Sequence, residues 1–499
     1  MQQSISYNDT NHSTGGRVDP AFKHTLKKSN NGETLKYCYQ CGTCSSVCPI
    51  SKFIRIYRPN RILELAKLGV TNLPQSNAFL FCSACTLCTK GCPQNVRVHE
   101  VMQALKENAI ESEEVIKFVR SEFPGMVRAL GKEIPLPVVY SWICLRPSSE
   151  KEIEGFEKEV KDALEYVLTL EPEKAEISPG AAKVAIIGSG PAGLTAAYDL
   201  AKAGYAVTIF ESLSEPGGML RTGIPEYRLP KSVVAREIEN VKAAGVDIKL
   251  NTKVDGSFFE ELVNSDEYTA VFIASGAYAS RSIRIEGENL EGVVPALSFL
   301  KEYNMNGKAD VGDNVVVIGG GNVATDAAGA AIRCGAKSVK LFCLEGRKIM
   351  PAHEWEIEEI VHDGVELNPS WGPKAIIGDG TKVTEVVFMR CKSVFDENKR
   401  FNPVYDEKTL ETVKADTVIT AIGQGPDLSF LGKGIDVFRG AIVINKYTME
   451  TSLPKVFAGG DAAAGTASLV EAIIAGKTAA GSIKKYIDSV NREQADEEI

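Results

Sequence analysis

Two cysteine runs near the front of the chain constrain it most: Cys38-Tyr-Gln-Cys41-Gly-Thr-Cys44-Ser-Ser-Val-Cys48-Pro49 and Cys82-Ser-Ala-Cys85-Thr-Leu-Cys88-Thr-Lys-Gly-Cys92-Pro93. Both fit C-x-x-C-x-x-C-x-x-x-C-P. Three thiolates spaced in this way on one tight loop grip three irons of a cubane, and the fourth, directed away by the proline after it, serves the other cluster of a pair. The spacing therefore predicts one [4Fe-4S] cluster on Cys38, Cys41, Cys44 and Cys92, and a second on Cys82, Cys85, Cys88 and Cys48. Structural zinc asks for four ligands in C-x-x-C pairs and does not need eight in this repeat; unmetallated thiols are the remaining alternative. Eight of the 12 cysteines lie in these runs, a placement that suits ligands in a reducing compartment and not a secreted disulfide framework.

The 33 residues between the runs are helical in texture, with Arg61 to Gly69 reading as a short helix that ends at glycine and Val98 to Ala109 continuing helically after the second run. The arrangement resembles the helical ferredoxin domain of heterodisulfide reductase small subunits, where Cys-Gly-Thr-Cys and Cys-Pro-x-x-Val segments are familiar. The other cysteines, Cys144, Cys334, Cys343 and Cys391, are isolated and read as small buried apolar residues. None forms a C-x-x-C beside a flavin motif, so disulfide reduction lacks its usual nucleophile pair.

At 499 residues the chain has room for roughly three domains. Its net charge of −9 argues against a general affinity for nucleic acid or an anionic membrane. No apolar run approaches the roughly 20 residues of a membrane span, and the polar N-terminus does not read as a secretory signal, so the expected address is cytoplasmic. Glycine is abundant, with 44 residues, and clusters directly after Val- and Ile-rich segments. The expected organisation is an N-terminal arm over 1–35, a helical two-cluster domain over 36–147, and a helical linker over 148–182. A flavin-binding domain comes next over 183–296 and 421–488, interrupted by a nicotinamide-binding domain over 297–420. An acidic tail over 489–499 ends the chain.

Val184-Ala-Ile-Ile-Gly188-Ser-Gly190-Pro-Ala-Gly193 reads as strand, glycine turn and helix start. Such glycines permit the turn, let backbone approach a pyrophosphate, and allow close helix packing, while the helix N-terminus faces the negative charge. Glu211, at the end of the next strand, has the spacing of a carboxylate that holds ribose hydroxyls. The segment Gly217-Gly-Met-Leu-Arg221-Thr-Gly-Ile-Pro-Glu-Tyr-Arg228-Leu-Pro-Lys231 closely resembles the small subunit of glutamate synthase and its relatives. That resemblance covers about 183–485. It implies two Rossmann-like domains in the α/β manner of glutathione and thioredoxin reductases, behind the small helical ferredoxin domain. It lays Gly217, Gly218, Met219, Arg221 and Arg228 along FAD, and in Val456-Phe-Ala-Gly-Gly460-Asp461 it places Asp461 at the ribityl or pyrophosphate region. A helix N-cap is the plainer role for Asp461.

Roughly 130 residues further on the device recurs in Asn314-Val-Val-Val-Ile-Gly319-Gly-Gly321-Asn322-Val-Ala324-Thr-Asp326, with alanine at the third glycine position. The resemblance makes this the inserted domain that binds the nicotinamide cofactor reducing FAD; Asn322 and Asp326 also suit plain helix-start roles. Relatives end the second strand of this unit in paired arginines that hold the 2′-phosphate of NADPH. Leu344 and Glu345 stand there instead, and a carboxylate accepts from free ribose hydroxyls but repels a phosphate, which predicts NAD(H) over NADP(H). Arg347 and Lys348 lie near enough to compensate in part.

These parts compose an electron path from NADH through FAD to the two clusters, with no catalytic side chain required among the five histidines or elsewhere. The leading expectation is an electron-transfer subunit in a hetero-oligomer that docks a catalytic oxidoreductase subunit or a ferredoxin. Alternatives are the glutamate synthase small subunit itself, although its N-terminal cysteines are spaced differently, and a free-standing NAD(P)H:ferredoxin oxidoreductase, flavin-bifurcating as some relatives are. A scaffold in which the cofactors are structural would have no use for a hydride donor.

Overall fold

The computed structural model describes residues 18, 32–54, 57–70, 78–83, 85–109, 125, 135–138, 162 and 165–497. It divides into two compact units, Met1–Thr169 and Leu170–Ile499. Cys144, most of the expected arm and, apart from position 162, residues 148–164 of the expected helical linker lie outside the described residues.

In the first unit the described elements are helical: Thr43–Ser46, Ile50–Phe53, Pro59–Leu68, Leu87–Lys90 and Val98–Ala109, with 3₁₀ turns at Gly32–Tyr37 and Ala78–Phe81. The first of these turns begins within the expected arm and buries Leu35, and Val18 forms an isolated antiparallel bridge with Val70. Pro59 opens its helix with a preset φ, and Gly69 closes it in the left-handed region at φ 73°. Ile62, Leu63, Leu65 and Ala66 form its buried face. That face and the buried Val101, Met102 and Leu105 of Val98–Ala109 give the small unit its core.

The second unit holds two parallel sheets. The first comprises β1 (Lys183–Ile187), β2 (Ala206–Phe210), β3 (Asp247–Lys249), β4 (Ala270–Ile273) and, from far along the chain, β17 (Val456–Ala458). Their order is β17-β4-β1-β2-β3. β1 pairs in parallel with both β2 and β4, and Val184, Ala185 and Ile186 are fully buried, as a strand covered on both faces must be. Pro191–Lys202 packs against the closing helix Leu469–Glu497, where Gly476 permits the approach: a Cβ there would lie 2.3 Å from the Ala192 carbonyl oxygen. That closing helix runs on through Glu497, because nothing after Gly481 breaks it, so the expected acidic tail over 489–499 is helical as far as it is described.

After β5 (Ala279–Ser280) the chain enters the second sheet, made of β6 (Val293–Pro295), β7 (Asn314–Ile318), β8 (Ser338–Cys343), β9 (Glu366–Pro369) and β13 (Thr417–Thr420). These run in the order β6-β13-β7-β8-β9. Because β6 pairs with β13, this sheet takes in residues ahead of the expected boundary at 297. An antiparallel meander, β10 (Trp371–Gly378), β11 (Val383–Phe395) and β12 (Phe401–Lys414), covers one face of it where a crossover helix would otherwise lie. Phe342 of β8 stacks on Phe388 of β11 at 3.9 Å between ring centroids. The return strand β14 (Gln424–Gly425) pairs with β5, so the chain leaves the first domain and re-enters it side by side. A small hairpin of β15 (Val437–Phe438) and β16 (Ala441–Ile442) then leads to β17. Among the described residues no helix is long and apolar enough to cross a membrane.

Candidate redox and cofactor sites

The two cysteine runs fold alike. In the first, Gly42 takes left-handed backbone (φ 79°) and caps Thr43–Ser46; in the second, Thr86 does the same (φ 62°) ahead of Leu87–Lys90. The two short helices pack on each other. This crossing carries each fourth cysteine to the other run. Cys38, Cys41, Cys44 and Cys92 line one cavity, and the Cys88 thiol lies within the electrostatic reach of Cys82, Cys85, Cys48 and, more weakly, Cys44. Among the described residues no three cysteine, histidine or carboxylate groups converge on a single-ion site. In the first set the four thiols surround a cavity, as a multi-iron body requires.

Polar hydrogens face the sulfurs. Gln40 Nε2 donates to Cys38 Sγ at 3.4 Å and the Val96 amide to Cys92 Sγ at 3.3 Å, while Cys41 Sγ and Thr43 Oγ1 lie 3.3 Å apart. The Thr43 hydroxyl holds the Cys41 thiol below its usual range. Burial, then the neighbouring Cys38, pushes the Cys44 thiol up to about 11, and burial raises Cys48 and Cys88 as well. Thiols so crowded and desolvated gain from a positive iron centre that takes up their charge. All-sulfur donor sets with N–H and O–H groups aimed at them fit iron–sulfur clusters. Cys343 and Cys391 are buried as expected of small apolar residues, and Cys334 is half-buried.

At the first glycine turn, Gly188 has φ 99°, and a Cβ there would lie 2.5 Å from the Ala274 carbonyl oxygen. Only glycine closes the chain against the end of β4. A Cβ on Gly193 would strike the Gly188 carbonyl oxygen at 2.0 Å, yet one on Gly190 would meet nothing within 4 Å. The turn is thus tightly backed and open in front, which suits a pyrophosphate at the start of Pro191–Lys202. Glu211 is buried directly after β2; its Oε2 accepts from the Ser189 amide (2.9 Å) and hydroxyl (2.5 Å), and its Oε1 from the Leu213 amide (2.8 Å). Ser189 Oγ accepts in turn from the Gly217 amide at 3.0 Å. Gly218 rests against Gly190, a Cβ there falling 2.8 Å from the Gly190 Cα. The Gly-Gly segment and the first turn therefore share one wall, with Met219 next to them at the head of Met219–Thr222. Arg221 pairs with Glu215.

Asp461 opens the short helix Asp461–Ala464, and burial raises its carboxyl to about 6. It accepts from the Ala467 amide at 3.2 Å. The closing helix starts at Leu469 and is capped by Ser468, whose hydroxyl accepts from the Glu471 amide while the Glu471 carboxylate accepts from the Ser468 amide, a reciprocal capping box. Asp461 is therefore not the N-cap of that helix. The open glycine, the braced Glu211 and the partly buried Asp461 fit a dinucleotide such as FAD.

The second turn repeats the design. A Cβ on Gly319 (φ 148°) would lie 2.3 Å from the Ala421 carbonyl oxygen, whereas one on Gly321 would meet nothing within 4 Å. Ala324 is fully buried behind it. Asn322 Oδ1 accepts from the His353 amide (3.3 Å), and the Gly320 carbonyl from the Ala352 amide (3.0 Å), fastening the turn to the stretch just after Met350. Glu345 stands over the turn, with Oε2 at 2.9 Å from where a Cβ on Gly320 would be. Arg347 forks onto the Glu354 carboxylate.

One expected flavin contact has other partners. The guanidinium of Arg228 faces Asp326, Glu356 (3.6 Å) and Glu359 (3.3 Å) of the second dinucleotide domain, a cluster that isolated motifs do not reveal. Burial raises the carboxyls of Asp326 to about 6 and Glu356 to about 8. Sequence reasoning also passed over Tyr57, fully buried beside the second thiol set with its hydroxyl bonded to Cys82, and the ammonium of Lys231. Lys231 Nζ donates to the carbonyls of Leu220 (3.2 Å) and Ile224 (2.5 Å), and burial lowers its pKa to about 8.

The profile of the pyridine nucleotide-disulphide oxidoreductase family matches residues 182–479, more than half of the chain. The chain belongs to this family. A 4Fe-4S dicluster domain profile matches residues 34–96 of this oxidoreductase, over both cysteine runs. The NADPH-Fe(3+) oxidoreductase subunit beta of Geobacter sulfurreducens is 31% identical over 95% of the chain and 73% of its own length. The glutamate synthase [NADPH] small chain of Azospirillum brasilense is 32% identical over 81% of the chain and 87% of its own length. The NADP(+)-dependent formate dehydrogenase subunit beta of Moorella thermoacetica is 44% identical over 61% of the chain, but the chain spans only 44% of that relative's length. Among solved structures, Mycobacterium tuberculosis FprA in complex with NADPH superposes with a TM-score of 0.53 at 20% identity over 63% of this chain and 86% of its own, a likeness of fold. The chain is an NAD(P)H-dependent oxidoreductase of the FAD and iron–sulfur type, with a ferredoxin domain ahead of two Rossmann-like domains. These relatives are named as subunits or chains of larger enzymes.

Proposed function

We propose that this oxidoreductase is an electron-transfer subunit of a hetero-oligomer, passing electrons between NAD(H) and a partner protein through FAD and two [4Fe-4S] clusters. The observation that carries the reading is the pairing of the two thiol sets, each completed by a cysteine of the other run, on the same chain as two open-fronted glycine turns. Cys38, Cys41, Cys44 and Cys92 would hold one cluster, and Cys82, Cys85, Cys88 and Cys48 the other. Gly188, Gly190, Gly193, Glu211, Gly217, Gly218, Met219, Arg221 and Asp461 would hold FAD. Bound there, FAD converts between a two-electron hydride donor and clusters that carry one electron each. The protein's part is to align the dinucleotides, exclude water and set potentials.

The second turn, through Gly319, Gly321, Asn322, Ala324 and Glu345, is read as a site for NAD(H), although several relatives carry NADP(H) in their names. Glu345 presents a carboxylate over the turn, and the nearest expected compensating cation, Arg347, is occupied by Glu354. A 2′-phosphate would meet the Glu345 carboxylate there, against which Lys348 is the other expected cation. The partner is a catalytic oxidoreductase subunit or a ferredoxin, and the expected compartment is the cytoplasm. Anaerobic titration with NADH should bleach flavin and cluster absorbance together; flavin bleaching with unchanged clusters would sink the relay. In steady-state reduction NADH should exceed NADPH in kcat/KM by about tenfold or more, and the Glu345→Arg substitution should narrow or reverse that ratio.

A further inference from the structure

We propose that Arg228 is a positioning residue: it fastens the flavin-side segment after Gly218 to the helix that carries the second dinucleotide turn, fixing how the two dinucleotides meet. This rests on reading the two turns as FAD and NAD(H) sites. Arg228 belongs to the segment that begins at Gly217-Gly218, and Gly218 lies against Gly190 of the first turn. Asp326 belongs to Asn322–Arg333, which starts directly after Gly321 of the second turn. A continuous set of contacts thus runs from one pyrophosphate cradle to the other.

The junction is specified in detail. The side chain of Arg228 is 11% exposed, and Nε, Nη1 and Nη2 each face a different carboxylate, those of Asp326, Glu356 and Glu359. The guanidinium also lies 4.9 Å from the ring centroid of Trp355. Next to it, the Tyr227 hydroxyl donates to the Asp326 carbonyl at 3.3 Å, and Arg333 covers the Tyr227 ring at 3.9 Å. Gly329 leaves room for that tyrosine, since a Cβ there would lie 2.8 Å from its hydroxyl. A second tie is the Asn304 amide, which donates to the Thr222 carbonyl at 2.9 Å.

Stability alone does not account for such a choice. Two acids largely removed from water, Asp326 and Glu356, with the more exposed Glu359 beside them, around one guanidinium are a poorer source of stability than apolar packing of the same volume. Burial accordingly raises two of the three carboxyls. What the guanidinium supplies is orientation: its three nitrogens lie within ion-pair distance of Asp326 on Asn322–Arg333 and of Glu356 and Glu359 on Glu354–His362, so rotation or sliding of one domain on the other separates several charges at once. Hydride transfer from nicotinamide to flavin is steeply sensitive to that alignment.

The test uses full-length, anaerobically prepared protein with FAD bound, in the variants Arg228→Ala, Arg228→Lys and the near-isosteric Asp326→Asn. FAD content and the NADH dissociation constant should stay at wild-type values, while flavin bleaching by NADH in stopped flow slows by about a hundredfold in Arg228→Ala. Arg228→Lys should remain slow, because it keeps the charge and loses the fork. Amide hydrogen exchange should rise in both 219–231 and 322–333 whichever side carries the substitution. Exchange that rises only in the substituted element, or bleaching at the wild-type rate, would overturn the proposal. Loss of FAD from Arg228→Ala with Asp326→Asn unaffected would overturn it too, and return Arg228 to the flavin site. Wild-type protein that lacks FAD, or does not bleach with NADH, would sink the underlying reading instead. Should Arg228→Ala fail to fold, Asp326→Asn carries the same comparison.

Discussion

The two cysteine sites share a spacing, a left-handed turn residue and a short helix, yet their surroundings differ. Cys41 of the first set is exposed and Cys38 and Cys92 are half-exposed, with Tyr37 and Tyr39 standing in solvent close by. In the second set Cys48, Cys82 and Cys88 are all buried, and the phenol facing them is the fully buried Tyr57. Hydrogen bonds to sulfur and solvent access both govern cluster potentials. Identical ligand patterns therefore need not give equal carriers.

The largest effect should come from removing ligands. Anaerobic protein is expected to hold about eight irons per chain. Cys88→Ser should reduce this to about four or fewer and destabilise the unit, because a buried crowded site loses its charge balance. Cys41→Ser, at the exposed edge, should keep more iron and fold normally. Equal losses from the two variants, by iron and acid-labile sulfide analysis, would break the contrast.

A smaller effect separates the two tyrosines. The Tyr57 hydroxyl bonds to Cys82; burial, and after it the neighbouring Cys82 and Cys48 thiols, raises the Tyr57 pKa well above its usual value. Tyr57→Phe should lower the potential of one cluster by the equivalent of about 1 kcal/mol in a potentiometric titration followed by electron paramagnetic resonance. Tyr39 makes a similar bond to the exposed Cys41. Tyr39→Phe should shift its cluster less, since water can replace the lost donor. A larger shift from Tyr39→Phe would reverse the assignment of enclosed and open sites.

The smallest effect lies in the turns. Thr86 holds φ 62°, a costly conformation for a β-branched residue, where the first run has Gly42. Thr86→Gly should raise stability by about 1 kcal/mol or less, the relief of strain being offset in part by glycine's greater freedom in the unfolded chain. Gly42→Thr should cost about 1–2 kcal/mol. Thermal unfolding of the anaerobic protein measures both; a destabilising Thr86→Gly would show that contacts of the threonine side chain outweigh its backbone strain.

Much of the scaffold was legible in the chain itself. Pro59 and Gly69 bracket a helix whose extent could be foreseen to within about two residues, and the strand–glycine–helix units fall at Lys183–Ile187 and Asn314–Ile318. Local signals sufficed there, because a turn in which a Cβ on Gly188 would lie 2.5 Å from a carbonyl oxygen admits no other residue. Other features were not legible. The β10–β12 meander alternates weakly and carries many charges on its open face, so its pairing is fixed by the sheet beneath it. Pairing of β6 with β13, far apart in the chain, moved the second sheet's start ahead of 297. The Ser468–Glu471 box claimed the helix start that Asp461 was a candidate to cap.

By itself the sequence determined the cofactor chemistry: thiolate spacing and glycine turns are short-range patterns, and the bonds they permit depend on a few neighbouring residues. Tertiary structure alone decided the environment of each site. Which cysteines are wet, which acid lies over Gly320, and where Arg228 points all depend on segments distant in the chain being desolvated together. Burial and charge pairing are properties of that assembled neighbourhood, and no local motif encodes them.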